Sequence, residues 1–172
     1  DLSSLGQIAQ RRGRLGEAEG YYQQSLAIRR EVSDRRGEGV DLSNLGQIAQ
    51  QRGRLEEAEA YYQQSLAIRR EVSDRRGEGV VLYYLALLAD RRGDLESAER
   101  YHRESLQVAI DIGAGLDIPP SLLELGKFLI VRRGKRDEGC AMLREAARLF
   151  DEMGIPGGDN ARDALRELGC GE

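Results

Sequence analysis

Asp41–Val80 reads DLSNLGQIAQQRGRLEEAEAYYQQSLAIRREVSDRRGEGV. Moved back by forty positions it falls on Asp1–Val40 with four mismatches: Ser4/Asn44, Arg11/Gln51, Gly16/Glu56 and Gly20/Ala60. Moved forward it falls on Val81–Pro120 and finds Leu82, Leu85, Ala89, Gly93, Leu95, Ala98, Tyr101, Ser105 and Leu106 in register. A period of this size marks a stacked repeat array. Each unit then buries its apolar face against its neighbours rather than in one central core.

Within the second unit, Leu42, Leu45, Ile48 and Ala49 stand at i, i+3, i+6 and i+7. That is one stripe of a helix, not the alternation of a strand. Gly53 supplies the left-handed residue that closes a helix. A second stripe, Leu55, Ala58, Tyr62, Ser65, Leu66 and Ile68, runs to about Val72, and Ser73 or Asp74 can cap the helix that follows. Each unit is thus expected to be an antiparallel helix pair. Gly46 and Ala58 are the small residues that let the two axes approach. Gly37, Gly39 and their copies Gly77 and Gly79 either weaken the first turn of the next helix or let it nestle against the preceding unit.

The run L-x-x-L-G-x-x-A-x-x-x-G-x-L-x-x-A-x-x-x-Y-x-x-S-L is carried by Leu42, Leu45, Gly46, Ala49, Gly53, Leu55, Ala58, Tyr62, Ser65 and Leu66. It resembles the tetratricopeptide repeat, in a forty-residue form with longer helices than the usual 34 or so. Arrays of the G-protein-signalling-modulator and kinesin-light-chain kind, and many bacterial and archaeal regulators, are similar. The resemblance implies an all-α fold, a right-handed superhelix of about four helix-turn-helix repeats. These are expected near 1–34, 35–74, 75–113 and 117–154, with a capping helix over 159–169 that has Ala161, Ala164, Leu165 and Leu168 on one face.

Tyr21–Val40 and Tyr61–Val80 are identical, which points to a recent duplication or to deliberate design. The first helix lacks the counterpart of Asp34–Val40, so the chain is expected to be a fragment of a longer array, or to have another copy packed at this end. In the fourth unit an extra residue precedes Gly134, and Arg136 and Gly139 replace Leu95 and Ala98.

No phosphate-cradling glycine loop, paired histidines, nucleophile elbow or cysteine pairs appear, so an enzyme, a cofactor and a metal site are not expected. His102, the one histidine, falls on the core stripe and is expected to be a packing residue. Tyr22, Tyr62 and Tyr101 are read the same way. Cys140 and Cys170 match no ligand spacing and suggest no disulfide framework, which favours a reducing, cytoplasmic setting. Mean hydropathy is -0.55 and no apolar run approaches the length of a membrane span. A formal charge of -4 argues against gross attraction to nucleic acid. The Arg29, Arg30, Arg35, Arg36 ladder and its copies interleave with Glu31, Glu38, Glu71 and Glu78, a pattern expected of solvated, ion-paired helix faces.

The resemblance also implies where a partner would sit. In such arrays the first helix of each pair lines a concave surface that holds an extended peptide. That surface maps here to Ser43, Asn44, Gln47, Gln50 and Gln51, then Tyr83, Tyr84, Leu87, Asp90 and Arg91, then Glu124 and Lys127. Amide side chains suit the backbone of a strand-like ligand, and tyrosine adds apolar area with a polar tip. The basic clamp for a C-terminal carboxylate is not reproduced. The expected role is a protein-interaction scaffold for a peptide or partner domain, as the sensor or scaffold part of a larger regulator. The alternative is a self-assembling repeat that stacks head to tail through its N-terminal end.

Overall fold

The computed structural model describes residues 1–171. Nine α-helices are found among them: α1 Leu2–Arg11, α2 Leu15–Glu31, α3 Arg35–Gln51, α4 Leu55–Glu71, α5 Arg75–Arg91, α6 Leu95–Asp111, α7 Ile118–Arg133, α8 Arg136–Met153 and α9 Gly158–Glu167. A short 3-10 turn, Gly115–Asp117, precedes α7. No strand occurs among the described residues. The chain divides into two compact units, Asp1–Leu88 and Ala89 onward, with the division in the last turns of α5.

Turn chemistry sets the helix lengths. Gly13, Gly53 and Gly93 take φ of 71°, 77° and 79° at the turn inside each pair. The turn between pairs uses a different device: Ser33 and Ser73 sit at φ 57° and 54°, a region non-glycine residues enter only at a cost. The next residue then starts the following helix. Asp34 accepts the Gly37 amide at 3.0 Å and Asp74 that of Gly77 at 3.1 Å, so aspartate rather than serine is the cap. Asp94 does the same for Ser97 at the start of α6. Pro119 and Pro120 lie in the first turn of α7, where a missing N–H is harmless.

In the first unit, the buried core runs through Ala9, Ala18, Tyr22, Leu26, Leu42, Leu45, Ile48 and Ile68. Glycine makes room for the tyrosines. A Cβ on Gly6 would lie 2.7 Å from the Tyr22 ring, and one on Gly46 would lie 2.5 Å from the Tyr62 ring. Both hydroxyls are anchored a turn away, Tyr22 to Gln10 at 3.1 Å and Tyr62 to Gln50 at 2.8 Å. Gly37 and Gly77 are explained by crowding rather than by weakened helix starts, since a Cβ there would collide with the Arg29–Asp34 and Arg69–Asp74 ion pairs.

The arginine ladder is not simply a solvated face. Arg29 donates from Nε to Asp41 at 2.8 Å and also pairs with Asp34, while Ser3 Oγ donates to the other oxygen of Asp41 at 2.8 Å. Asp41 is fully buried, so α1, α2 and α3 meet on one carboxylate. Arg69 is itself buried and bonds Asp74, Ser65 and Ser43, because Val81 stands where an aspartate would be. Glu38 and Glu78 are buried too, each held by two arginines: Arg30 and Arg35, and Arg70 and Arg75. The mixed charge run therefore reaches into the joint between consecutive pairs.

In the second unit the apolar cluster of α8 and α9 contains Leu143, Ala146, Ala147, Phe150, Ala161 and Ala164. It also contains Cys140 and Cys170, which form a disulfide with their Cα atoms 5.4 Å apart. That corrects the expectation of two unpaired helix residues and removes the cysteine-based ground for a reducing setting. Cys170 lies just beyond α9, and only the return of α9 along α8 brings it to Cys140. Tyr101 packs, half-buried, against the apolar cluster of Ala98, Leu125 and Leu129, with the Arg100 guanidinium 4.5 Å from its ring centroid.

Candidate functional site

The first helices carry the residues of interest at matched turns. Asn44, Gln47 and Gln51 stand at i, i+3 and i+7 of α3, and Tyr84, Leu87 and Arg91 repeat that spacing on α5. Within the first unit, Ser43 leaves the candidate set: it is buried and its hydroxyl donates to the Val40 carbonyl at 2.8 Å. Gln50 is committed as the acceptor of the Tyr62 hydroxyl. Tyr84 stacks on Tyr62 with centroids 5.6 Å apart and planes at 12°, and Tyr83 packs against Tyr84 at 5.9 Å. Burial raises the Tyr84 pKa, so the phenol stays protonated and able to donate. Gln47, Tyr83 and Leu87 are half-buried, and Gln51 is exposed.

Asn44 differs from the others. Its Nδ2 is shielded from solvent and has no hydrogen-bond partner. A buried amide donor left unsatisfied costs about 1–3 kcal/mol, which makes such an atom informative.

The second unit holds Asp90, Arg91 and Lys127. Asp90 accepts Arg132 Nε at 2.6 Å, Lys127 reaches Glu124 at 3.5 Å, and Arg91 is exposed. Asp90 is thus engaged within the fold. His102 is buried, as expected of a packing residue, with its ring 5.2 Å from that of Phe128. Burial pushes its pKa down to about 4, against a small opposing pull from Asp90. The unfolded chain therefore binds this proton between pH 6.5 and 4 while the folded chain does not, and stability falls as pH drops through that window. In thermal melts from pH 7 to pH 4, His102→Gln is expected to flatten this decline; an unchanged slope would show that the ring does not carry it.

The strongest charge cluster surrounds Glu99, which accepts Lys135 at 2.6 Å, Arg133 at 2.7 Å and Arg103 at 2.8 Å. Burial raises its pKa, but the bonds from Lys135, Arg103 and Arg133 outweigh it and leave the carboxyl at about 2. Glu19 plays the same part in the first unit, held by Arg52 and Arg54. The cluster recurs between consecutive helix pairs as a joint, and in the second unit Glu99, Arg103, Arg133 and Lys135 also line an open cavity of about 380 Å³. No group of three or more His, Cys, Asp or Glu side chains among the described residues is placed to hold a metal ion. No described helix is long and apolar enough to cross a membrane.

The sequence profile of the tetratricopeptide repeat matches residues 2–71 and again 40–111. The chain is a tetratricopeptide-repeat protein. Among curated protein sequences, none matches it. Solved structures similar to this tetratricopeptide-repeat chain include a putative kinesin light chain with nearly identical repeats from Podosopora anserina. The two share 16% identity and a TM-score of 0.71, covering 98% of this chain and 92% of that one. Aspartyl phosphate phosphatase F from Bacillus subtilis has 12% identity and a TM-score of 0.84, covering 97% and 47%. A signal-transduction ATPase with a tetratricopeptide-repeat sensor from Pyrococcus horikoshii has 22% identity and a TM-score of 0.81, covering 95% and 25%. The chain thus spans about half the length of the phosphatase and a quarter of the ATPase. At these identities the likeness concerns the fold alone.

Proposed function

We propose that this tetratricopeptide-repeat chain is a non-enzymatic interaction module whose first-helix face on α3 and α5 binds an extended peptide segment of a protein partner. The repeat family commonly mediates protein–protein interaction. The observation that carries the reading is the unpaired Nδ2 of Asn44. A side-chain rotation that brings this amide to the surface would let it donate to a peptide carbonyl, while Gln47 and Gln51 on the same face of α3 offer further donors and acceptors. Tyr83 and Leu87 would supply apolar contact, and the stack of Tyr84 on Tyr62 would hold the α5 side rigid. Asp90, Arg91 and Lys127 belong to the wider set that the resemblance suggests for the same role.

Peptides selected from a random phage-displayed library on the intact chain provide the test. Asn44→Ala combined with Gln47→Ala should weaken the selected peptides at least tenfold in fluorescence anisotropy, about 1.4 kcal/mol or more. Arg12→Ala, away from this face, should leave affinity unchanged. Equal affinity for the double variant and the parent chain would overturn the reading.

Head-to-tail assembly draws some support from Leu5, Ile8 and Ile28, which are about half exposed whereas their copies Leu45, Ile48 and Ile68 are buried. It is opposed at the other end by α9, which covers α8 and presents Asp163, Arg166 and Glu167 to solvent. The peptide reading is therefore preferred.

A further inference from the structure

We propose that α9 is a redox-latched cover over α8, held shut by the Cys140–Cys170 disulfide and released when a dithiol reduces it. This goes beyond the peptide-binding reading and does not depend on it.

Three observations carry the inference. The first is what α9 covers. Ala146, Ala147 and Phe150 form an apolar strip on α8 that is buried in one cluster with Ala161 and Ala164 of α9, a cluster that Leu123 of α7 also enters, while Leu143 packs on α7 at Gly126. The second is how little else holds α9. It has ten residues, below the length at which an isolated helix is stable. Its buried apolar side chains are two alanines, Leu165 and Leu168 are only half-buried, and the ion pair that ties it to α8, Arg162 to Asp151, is exposed to solvent. The third is where it is fastened. The segment before α9 contains Gly154 at φ 61° and Gly157 at φ 131°, conformations in which glycine turns freely. A Cβ on Gly157 would lie 2.5 Å from the Phe150 ring, so this turn folds directly onto the covered strip. At the far side the disulfide closes the loop.

The far side is also held by hydrogen bonds from α8. Arg136, Cys140 and Arg144 occupy i, i+4 and i+8 of α8. Arg136 donates to the Gly169 carbonyl, and Arg144 donates to the Cys170 carbonyl at 2.7 Å. Two arginines, one turn either side of Cys140, thus hold the backbone around Cys170 against α8. Both sulfurs belong to buried residues, Cys140 at 4% and Cys170 at 9% exposure, and Cys170 is the one outside any helix, between Gly169 and Gly171, where a local opening brings it to solvent. In the exchange, a thiolate of the dithiol attacks Cys170 Sγ and the Cys140 thiolate departs with the electron pair of the broken S–S bond. The second thiol of the reductant then displaces Cys170. The protein gains two electrons and two protons, and the dithiol becomes a cyclic disulfide.

Hydrogen–deuterium exchange on the full chain, with and without dithiothreitol, tests the proposal. Before reduction, thiol titration should find no reactive thiol. After reduction, amides of residues 161–168 should lose protection on the order of a hundredfold, the scale set by a closed loop of this length. Amides of α1–α4 should keep theirs. Cys170→Ser should show the same loss in α9 without reductant and no further change when reductant is added. Free thiols in the unreduced chain, or α9 protection that survives both reduction and Cys170→Ser, would overturn the latch. Equal loss of protection across all helices would also overturn it, because the bond would then support the whole chain rather than its cover.

Discussion

Leucine at position 46 should cost at least about 3 kcal/mol, the largest single-residue effect expected away from the disulfide, because even a methyl group there meets an occupied site. The ideal Cβ would lie 2.5 Å from Cε1 and 2.6 Å from Cδ1 of Tyr62. The ring has little freedom to withdraw: it is fully buried, its hydroxyl donates to Gln50, and Tyr84 stacks on its face. Gly46→Ala should cost about 1–3 kcal/mol by the same conflict, less the roughly 1 kcal/mol that alanine returns through helix propensity. Where the third repeat has Ala86 in place of glycine, it has His102 in place of tyrosine. A Gly46→Ala, Tyr62→His double variant should therefore lose less than the sum of its singles in urea titrations. Additive losses would show that the two positions do not share one space.

The second large effect is expected at Asp41. Its carboxylate has no exposure to water and accepts both Arg29 Nε and Ser3 Oγ at 2.8 Å. Asp41→Ala leaves a partly buried guanidinium short of its counter-charge, a change worth about 3–5 kcal/mol when a buried pair is broken. Asp34 still pairs with Arg29, which places the expected loss toward the lower end. Replacing both ends, Asp41→Val with Arg29→Met, should recover most of the stability, since an apolar pair of similar volume avoids the desolvation cost. The natural precedent is Val81, the residue at the equivalent position one repeat later. A double variant as unstable as the single would mean that the charges specify the packing rather than merely tolerate each other.

The fold was legible because it depends on periodicity. Leu42, Leu45, Ile48 and Ala49 spell one helical stripe, and the glycine at 53 needs only its lack of a side chain to end the helix. What escaped depends on side chains meeting across turns. Gln50 and Asp90 look like available ligand groups in sequence, yet one serves the Tyr62 hydroxyl twelve residues on and the other serves Arg132. No local pattern announces either bond. Ser43 faces inward because α3 begins at Arg35, so its stripe is wider than the apolar letters suggest. The disulfide was the least accessible feature: thirty residues separate its cysteines, and only a returning helix at a particular distance unites them. Glu99 could have been found by analogy with Glu19, but the extra residue before Gly134 shifts its partners to Arg133 and Lys135 and hides the match.

The identity of Tyr21–Val40 and Tyr61–Val80 has a kinetic corollary. While the chain is collapsing, two indistinguishable segments compete for the same docking positions, the situation in which repeat proteins become trapped out of order or exchange strands of structure with a neighbour. Almost nothing in those twenty residues can tell α2 from α4. The discrimination has to come from what they land on, and the buried carboxylate at 41 against the methyl groups at 81 is the sharpest difference available. Arg29 released onto valine would keep Asp34 but lose Asp41, and Asp41 left without its arginine would be a buried, unpaired carboxylate, so a slipped assembly is penalised where the correct one is rewarded.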